Sequence, residues 1–276
     1  MLSTSVGRVA ALSLTLLVLS VMGSVSQAAS PDVQAAMLKA ADNQASGAYV
    51  RDRFLQRVKK PFNGSGKKAI IVGDSYAQDF TNVVLEHQAL AGYQLSTRYI
   101  PSRCQMYLGS ENVTQFVQAS DRALCASSDT LAQAKAQIQQ ADVVFLVANW
   151  KAWSAQRLPT SIQNLELRPG QTLRVIGRKS FGPIKVRQYM RQSDAELKQL
   201  RNPVDAHQVK INNLMKRNLS SAIFVDQQQV LCGSPNTCPV FTPNLRLISF
   251  DGSHFTRDGA RWAGQRLFQH SLLRNL

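Results

Sequence analysis

The 276-residue sequence has only one long hydrophobic run, and that run lies at its N-terminus. No other stretch approaches the ~20 apolar residues that a helix needs to span a bilayer, so further membrane spans are not expected. The sequence also has no internal repeat and no low-complexity tract. These absences leave a chain whose length suits one large α/β domain or, less well, two small ones.

The N-terminal run has the features of a secretory signal peptide. Arg8 supplies a positive charge, Val9 to Gly23 form an apolar stretch of 15 residues, and Ser26-Gln27-Ala28 is a small-x-small cleavage site. We expect cleavage after Ala28, which makes the mature protein periplasmic or secreted. An uncleaved membrane anchor is the alternative, and the shortness of the apolar stretch argues against it. No cysteine lies directly after the apolar stretch, so a lipoprotein anchor is not expected.

Acidic residues are scarce. The chain has 17 Asp and Glu against 32 Lys and Arg, which gives a formal net charge of +15. A surplus of this size favours a polyanionic partner. Nucleic acid conflicts with export, so no nucleic-acid partner is expected, and an anionic glycan, lipopolysaccharide or lipid surface fits better. The alternative is that the charge serves solubility alone.

Cysteine is rare as well, and the four cysteines, Cys104, Cys125, Cys232 and Cys238, contain no Cys-x-x-Cys pair. The missing pair argues against a zinc site, and we expect no metal and no cofactor. After export to an oxidising compartment the cysteines are expected to form disulfides. Three pairings are possible, of which we favour the two local ones, Cys104 with Cys125 and Cys232 with Cys238.

Short apolar segments alternate with helical stretches along the chain. Strands are predicted at residues 69–72, 95–100, 142–148, 173–176 and 222–225, and helices at 31–60, 78–90, 128–140, 161–167, 204–219 and 257–273. The alternation predicts an α/β fold whose mainly parallel five-stranded sheet carries helices on both faces. Two loops, 101–127 and 178–203, follow strands and are expected to border a functional site at the carboxyl ends of the strands.

A serine follows the first predicted strand, in Gly73-Asp74-Ser75. Ser75 would lie at the turn into a helix, where free backbone N–H groups and the helix dipole suit a developing oxyanion. A serine hydroxyl becomes a nucleophile only when a base takes its proton. We interpret Asp74 as a structural residue that fixes the turn. On its own, the tripeptide is also typical of an ordinary turn.

Histidine is scarce, which narrows the choice of base. Three of the four histidines, His87, His207 and His270, fall in predicted helices, and His254 alone lies in a predicted loop after a strand. Asp251, three residues earlier, can hydrogen-bond one ring nitrogen of His254 and fix its tautomer. An Asp-x-x-His pair can also be a simple capping or salt-bridge pair. The placement of both motifs together favours a Ser–His–Asp arrangement.

These two blocks resemble the first and last blocks of the SGNH (GDSL-like) hydrolase superfamily. The asparagine of its third block corresponds to Asn149 in Val147-Ala148-Asn149-Trp150, whereas Pro101-Ser102-Arg103-Cys104 replaces the glycine expected in its second block. The resemblance implies a flavodoxin-like three-layer α/β/α sandwich. It also implies catalytic Ser75, Asp251 and His254, with Ser75, Asn149 and Ser102 as candidate oxyanion donors.

One branch is especially similar: the periplasmic SGNH domain fused to integral-membrane sugar O-acyltransferases. Cys104 after the second strand, Trp150 after the third, and Cys232 to Cys238-Pro239 before the last block carry this likeness over residues 68–274. We therefore expect a signal peptide at 1–28, an N-terminal helical extension at 29–66 and an SGNH catalytic domain at 67–276. The chain would be a free-standing relative that lacks the membrane portion.

For such a relative, the resemblance implies an exported O-acetyltransferase or acetylesterase that acts on polysaccharide hydroxyls through an acyl-serine. A membrane acyltransferase partner would supply the acyl group. A lipid or small-molecule ester hydrolase and a non-catalytic glycan-binding module are the alternatives.

Several side chains are candidates for contact with such a substrate. The aromatic rings of Tyr76, Trp150 and Trp153 could stack on a sugar, although core or rim positions are the commoner use of aromatics. The loop 178–203 carries a basic stretch that could bind an acidic glycan or could simply be solvated; it comprises Arg178, Lys179, Lys185, Arg187 and Arg191. Within it we favour Arg187 and Arg191 as substrate contacts.

Overall fold

The structure, a computed structural model, describes Leu2 and residues 28–276. The predicted signal peptide therefore lies almost wholly outside the described residues. The helices are α1 (Pro31–Ala40), α2 (Asn43–Leu55), α3 (Ser75–His87), α4 (Arg122–Ser127), α5 (Leu131–Ile138), α6 (Ala152–Gln156), α7 (Leu158–Asn164), α8 (Val186–Tyr189), α9 (Asp194–Gln199), α10 (Ala206–Asn218), α11 (Gln227–Cys232) and α12 (Arg257–Leu267). The strands are β1 (Lys68–Gly73), β2 (Gln94–Tyr99), β3 (Val143–Val147), β4 (Thr172–Ile176), β5 (Arg201–Pro203), β6 (Phe224–Val225) and β7 (Thr237–Pro239).

Five strands form one parallel sheet in the order β2-β1-β3-β4-β6. The predicted five-stranded parallel sheet is thereby confirmed. Gly73, the last residue of β1, is in register with Tyr99 of β2 and with Val147 of β3. The loops that follow these three strands consequently meet at one edge of the sheet. The apolar sequence of β1 fits its place, because Ala69 to Val72 are fully buried on both faces of the sheet.

Helices cover both faces of the sheet, which makes the predicted three-layer sandwich. On one face, side chains of α2, α3, α11 and α12 share a core with Ile71 and Phe145. On the other face, side chains of α5, α6, α7 and α10 pack against Ile70 and Val144. Neighbouring residues of a strand point to opposite faces, so each strand supplies both cores.

A smaller unit lies beside the sandwich, within and after the region predicted to be the loop 178–203. It contains α8, α9 and the two-stranded antiparallel sheet of β5 and β7. Val33 and Met37 of α1 pack here against Tyr189 and Leu197. In contrast, α2 contributes Phe54 to the main core. The two helices of the predicted N-terminal extension thus contact different parts of the protein, and the boundary at residue 66 stays a prediction.

Two disulfides join the cysteines as predicted, Cys104 to Cys125 and Cys232 to Cys238. The first closes the loop after β2, in which α4 and two short 3-10 turns interrupt the predicted irregular chain. The second links the end of α11 to β7. None of the helices in the described part of the chain combines the length and the apolar character needed to cross a membrane.

Candidate active site

Ser75 is the first residue of α3, two positions beyond the end of β1. Asp74 caps the helix, because its carboxylate accepts a hydrogen bond of 2.9 Å from the backbone N–H of Tyr76. Gly73 has φ +151°, and a Cβ atom at this position would lie 1.7 Å from the carbonyl oxygen of Val147. Glycine therefore allows β1 to lie close to β3, and the turn that follows presents the half-buried Ser75 at the carboxyl edge of the sheet.

The loop that carries His254 is organised by Asp251. One carboxylate oxygen, Oδ1, accepts hydrogen bonds from the backbone N–H groups of Ser253 at 2.8 Å and of His254 at 2.7 Å. The other oxygen, Oδ2, lies 2.6 Å from Nδ1 of His254. Gly252 has φ +91°, and a Cβ atom there would lie 2.2 Å from the carbonyl oxygen of Gly182. The tight Asp-Gly-Ser-His turn thus directs both side chains toward each other.

The three predicted catalytic side chains lie in one hydrogen-bonded line. Nε2 of His254 is 2.9 Å from Oγ of Ser75, and Nδ1 of the same ring faces Asp251. A carboxylate can only accept, so Nδ1 carries the proton and Nε2 is left to accept from the serine hydroxyl. This is the geometry that a general base needs in order to activate a hydroxyl nucleophile.

The electrostatic environment suits these roles. Partial burial alone would raise the pKa of Asp251, but the hydrogen bonds and charge of His254 outweigh it and hold that pKa at about 2. Burial alone would lower the pKa of His254, but its hydrogen bond to Asp251 and the negative charge of Asp79 raise it above the ordinary value. Asp251 is therefore a carboxylate at neutral pH, and His254 is a stronger base than a free imidazole.

Asn149 and Ser102 lie in the segments that follow β3 and β2, the two strands that flank β1. The backbone N–H of Asn149 donates to both carboxylate oxygens of Asp74, at 3.1 and 2.9 Å. Burial raises the pKa of Asp74 to about 6, although these hydrogen bonds and the one from Tyr76 act in the opposite direction. The structural role expected for Asp74 is thus visible in its contacts. The oxyanion roles of Asn149 and Ser102 stay predictions.

A residue that the sequence did not single out, Gln105, connects these two segments. Its side-chain N–H group donates to the carbonyl oxygens of Ser102 at 2.7 Å and of Asn149 at 3.0 Å. Its carbonyl oxygen accepts from the backbone N–H of Lys151 at 2.8 Å. Gln105 is buried and has φ +63°. A lone glutamine in a loop carries no sequence signal for this role.

Two of the predicted substrate contacts are wrong. Trp150 is fully buried, and its Nε1 donates to the carbonyl oxygen of Ile176 at 2.9 Å. Tyr76 is only 3% exposed, and its hydroxyl donates to the carbonyl oxygen of Lys179 at 3.0 Å. Neither ring presents a face on which a sugar could stack, because both rings pack in the interior.

The other predicted contacts differ in exposure, and Trp153 is half-buried. Trp153 stacks on Phe116 with the ring centroids 5.3 Å apart. Arg187, on α8, and Arg191, just after it, are exposed, and their substrate roles stay predictions. Lys179 of the same basic stretch is only 1% exposed, so it cannot be part of a solvated binding loop.

An open cavity of about 440 Å³ borders the loop of Asp251. Its lining includes Ser180, Pro183, Pro203, Asp205, Asp251 and Ser253. The lining also contains Val204, Gly182 and Gly252. Only the two prolines and Val204 contribute apolar side chains, so the cavity suits a hydroxyl-rich molecule better than an acyl chain. Within the described residues, no three His, Cys, Asp or Glu side chains are grouped so that they could hold a metal ion.

Comparisons with known proteins agree with this architecture. A family model described as "SGNH domain (fused to AT3 domains)" matches residues 49–269. The structure is similar to the periplasmic domain of a lipopolysaccharide acetyltransferase from Salmonella ser. Paratyphi A, with a TM-score of 0.57 and 16% sequence identity over 86% of this chain and 98% of that chain. At this identity the likeness concerns the fold. No curated protein matches the sequence significantly.

Proposed function

The chain belongs to the family of SGNH domains (fused to AT3 domains), and we propose that it is a serine-dependent enzyme that transfers acyl groups to, or removes them from, polysaccharide hydroxyls. The observation that carries this proposal is the hydrogen-bonded line from Asp251 through His254 to Ser75, which ends at the first turn of a helix. Few purposes other than nucleophilic catalysis require a serine hydroxyl, an imidazole and a carboxylate in this order.

In the proposed reaction, Oγ of Ser75 attacks the carbonyl carbon of an ester. His254 removes the hydroxyl proton at Nε2, and Asp251 stabilises the resulting imidazolium. Negative charge develops on the former carbonyl oxygen, where the backbone N–H of Ser75 and the side-chain amide of Asn149 would donate to it. The tetrahedral intermediate collapses, His254 gives its proton to the leaving alcohol, and an acyl-serine remains.

The second half of the reaction repeats these steps with a new nucleophile. His254 takes a proton from the acceptor hydroxyl, the acceptor oxygen bonds to the acyl carbon, and Ser75 leaves with the proton returned by His254. Water as acceptor gives an esterase, and a sugar hydroxyl gives an acyltransferase. We favour transfer, because in this family the domain is fused to AT3 domains, which would deliver the acyl group from a membrane-bound partner.

We infer that the protein works outside the cytoplasm, on a polysaccharide of the cell envelope or its surroundings. The signal-peptide pattern and the two disulfides support this location. The similar solved structure is itself named as the periplasmic domain of a lipopolysaccharide acetyltransferase. The surplus of basic residues fits an acidic polysaccharide.

A fluorophosphonate probe tests the nucleophile directly. We expect one labelled peptide in the wild type, with Ser75 as the modified residue, and no labelling of Ser75→Ala. Ser110→Ala, which removes an exposed serine in the loop after β2, is the matched control and is expected to label normally. Absence of labelling in the folded wild type would refute the enzyme and favour a glycan-binding module, whereas labelling of Ser75→Ala at the wild-type rate would show that the reactive nucleophile is a different residue.

The outcome of catalysis is tested with an acetyl donor and candidate glycans, followed by mass analysis of both the glycan and free acetate. Acetylated glycan indicates transfer, and free acetate alone indicates hydrolysis. Turnover of long-chain esters in preference to acetyl esters would instead support the lipid hydrolase.

A further inference from the structure

A buried ion pair lies directly behind the proposed catalytic residues. The carboxylate of Asp79 and the ammonium group of Lys179 are 2.7 Å apart, and each side chain is 1% exposed. Asp79 lies one helical turn after Ser75 on α3, and Lys179 follows the end of β4. The pair therefore joins the helix of the nucleophile to the segment after a neighbouring strand.

Both members of the pair also bind the backbone around His254. Nζ of Lys179 donates to the carbonyl oxygen of Ser253 at 2.6 Å. The carboxylate of Asp79 accepts from the backbone N–H of Phe255 at 3.2 and 3.3 Å. The residues immediately before and after His254 are thus held by two charges, one of which is carried by the helix of Ser75.

Two aromatic rings flank the ammonium group of Lys179. Nζ of Lys179 lies 4.0 Å from the centroid of the Tyr76 ring and 4.7 Å from that of Phe255. The hydroxyl of Tyr76 donates to the carbonyl oxygen of Lys179. Burying two charges costs as much as their attraction returns, and apolar residues of similar volume often stabilise a protein as well or better. Stability alone is therefore a weak reason for this pair.

We propose that Asp79 and Lys179 are positioning residues, which hold the backbone on both sides of His254 at a fixed place relative to Ser75. The proposal rests on the proposed function, because it concerns the geometry of the same Ser–His–Asp line. An apolar pair could fill the same space, but it could neither donate to the Ser253 carbonyl nor accept from the Phe255 N–H.

The pair also adds no net charge beside an imidazole that alternates between neutral and charged forms. Five ionisable groups face His254. They are Asp251 on the same loop, Asp74 at the N-terminus of α3, Tyr76 and Asp79 within α3, and Lys179 after β4. Asp79 and Lys179 act on the imidazole in opposite directions. A lone charge of either sign could fix the loop only by also disturbing the base.

Three variants test the proposal: Asp79→Asn, Lys179→Met and the double variant. We expect each single variant to lower kcat with an aryl acetate by about 10²-fold, with KM nearly unchanged, because the loop no longer holds the imidazole in line with Oγ. In the double variant no uncompensated charge remains, so Tm should recover toward the wild type while kcat stays low. A purely structural pair would instead recover both.

A spectroscopic measurement makes the test independent of turnover. The short Nδ1–H···Oδ2 hydrogen bond between His254 and Asp251 should give a far-downfield proton resonance in the wild type. We expect this resonance to broaden or disappear in the three variants, and hydrogen exchange of residues 250–256 to accelerate. Arg98→Met is the control, since it breaks another largely buried ion pair, with Asp129, at the sheet edge. It should lower Tm and leave both kcat and the resonance unchanged.

A folded double variant with wild-type kcat and an unchanged resonance would overturn the proposal. Failure of all three variants to fold would overturn it as well, because the pair would then serve stability. If the folded wild type is not labelled at Ser75, the proposed function fails, and the resonance and the exchange rates still decide whether the pair positions His254.

Discussion

Nε2 of His254 lies 2.9 Å from Oγ of Ser75, although 179 positions separate the two residues in the chain. Ser75 follows the strand β1, which lies inside the sheet, and His254 lies on the loop before the last helix. The two meet because the turn after β1 opens at the edge of the sheet where that loop is anchored. Changes to the residues around this contact should therefore alter turnover or stability in measurable ways.

The pH dependence of turnover should report the ionisation of His254. A general base acts only in its neutral form, and the pKa of His254 is raised above its ordinary value of 6.5. We therefore expect the acid limb of kcat/KM to lie above pH 6.5. Asp251→Asn removes the carboxylate that raises this pKa, so the limb should move to lower pH while kcat falls about 10⁴-fold. Asp258→Asn, an exposed carboxylate on α12, should change neither.

Removal of the Asn149 side chain should affect catalysis without affecting stability. The hydrogen bonds of Asn149 with Asp74 and Gln105 are made by its backbone, which Asn149→Ala retains. We expect kcat to fall about 10²- to 10³-fold, as for loss of one oxyanion donor, with an unchanged urea midpoint. Asn213→Ala, an exposed amide on α10, serves as control. An unaltered kcat in Asn149→Ala would remove Asn149 from the mechanism.

Asp74 should make the free energy of unfolding depend on pH in an unusual direction. Burial raises its pKa to about 6 in the folded protein, whereas in the unfolded chain it ionises near 3.8. Between these values the folded state binds the proton more tightly than the unfolded state. The contribution of Asp74 to the free energy of unfolding therefore falls as pH rises from about 4 to about 6, by on the order of 3 kcal/mol in total.

The comparison with Asp74→Asn isolates that contribution. The difference in unfolding free energy between wild type and variant should change across pH 4 to 6 and stay constant above pH 7 in urea titrations. Asp32→Asn, an exposed carboxylate on α1, should show no comparable change of the difference. A constant difference for Asp74→Asn would show that the pKa of Asp74 is the same in the folded and unfolded states.

Gly73 should not tolerate a side chain. A Cβ atom would overlap the carbonyl oxygen of Val147, which belongs to the backbone of β3 and cannot move alone. We expect Gly73→Ala to destabilise the protein by more than about 4 kcal/mol or to prevent folding. Gly64→Ala is the matched control, since φ is +70° there and no atom lies within 4 Å of the new Cβ. It should cost only about 1–2 kcal/mol in urea unfolding.

The two disulfides should contribute unequally to stability. The bond between Cys104 and Cys125 closes a separation of 21 residues, and that between Cys232 and Cys238 a separation of 6. In the chain-entropy account, replacing the first pair by serine should cost about 3 kcal/mol and the second about 2 kcal/mol. Equal losses in urea unfolding would point to contacts in the folded state as the main source of the effect.

Much of the sandwich could be predicted because its strands have a local signature. Residues 143–148 and 69–72 are apolar without alternation, which is typical of strands buried on both faces. The start of α3 was predicted at Gln78 but lies at Ser75, because the Asp74 side chain caps the helix three residues earlier. The elements α8, α9 and β5 are too short to show a periodicity, so residues 178–203 were predicted as a loop.

The residues of the candidate site likewise fall into two groups, those with a local sequence motif and those whose position depends on distant parts of the chain. The motifs around Ser75 and His254 are short and local, and a pattern could show them. The burial of Lys179 depends on Asp79, which lies 100 positions away in the chain, and a local charge run cannot reveal such a pairing. Trp150 was predicted as a candidate sugar contact for a related reason: whether an aromatic ring after a strand turns inward depends on an acceptor, here Ile176, on another strand.

Ser75 and Asp79 lie on the same helix, α3. The carboxylate of Asp79 accepts hydrogen bonds from the backbone N–H of Phe255, the residue that follows His254. When the layers of the sandwich move relative to one another, we therefore expect Ser75 and His254 to move together. On the proposed positioning role, the distance between Oγ of Ser75 and Nε2 of His254 should therefore depend mainly on the integrity of α3 and on the contacts that Asp79 and Lys179 make with the His254 loop.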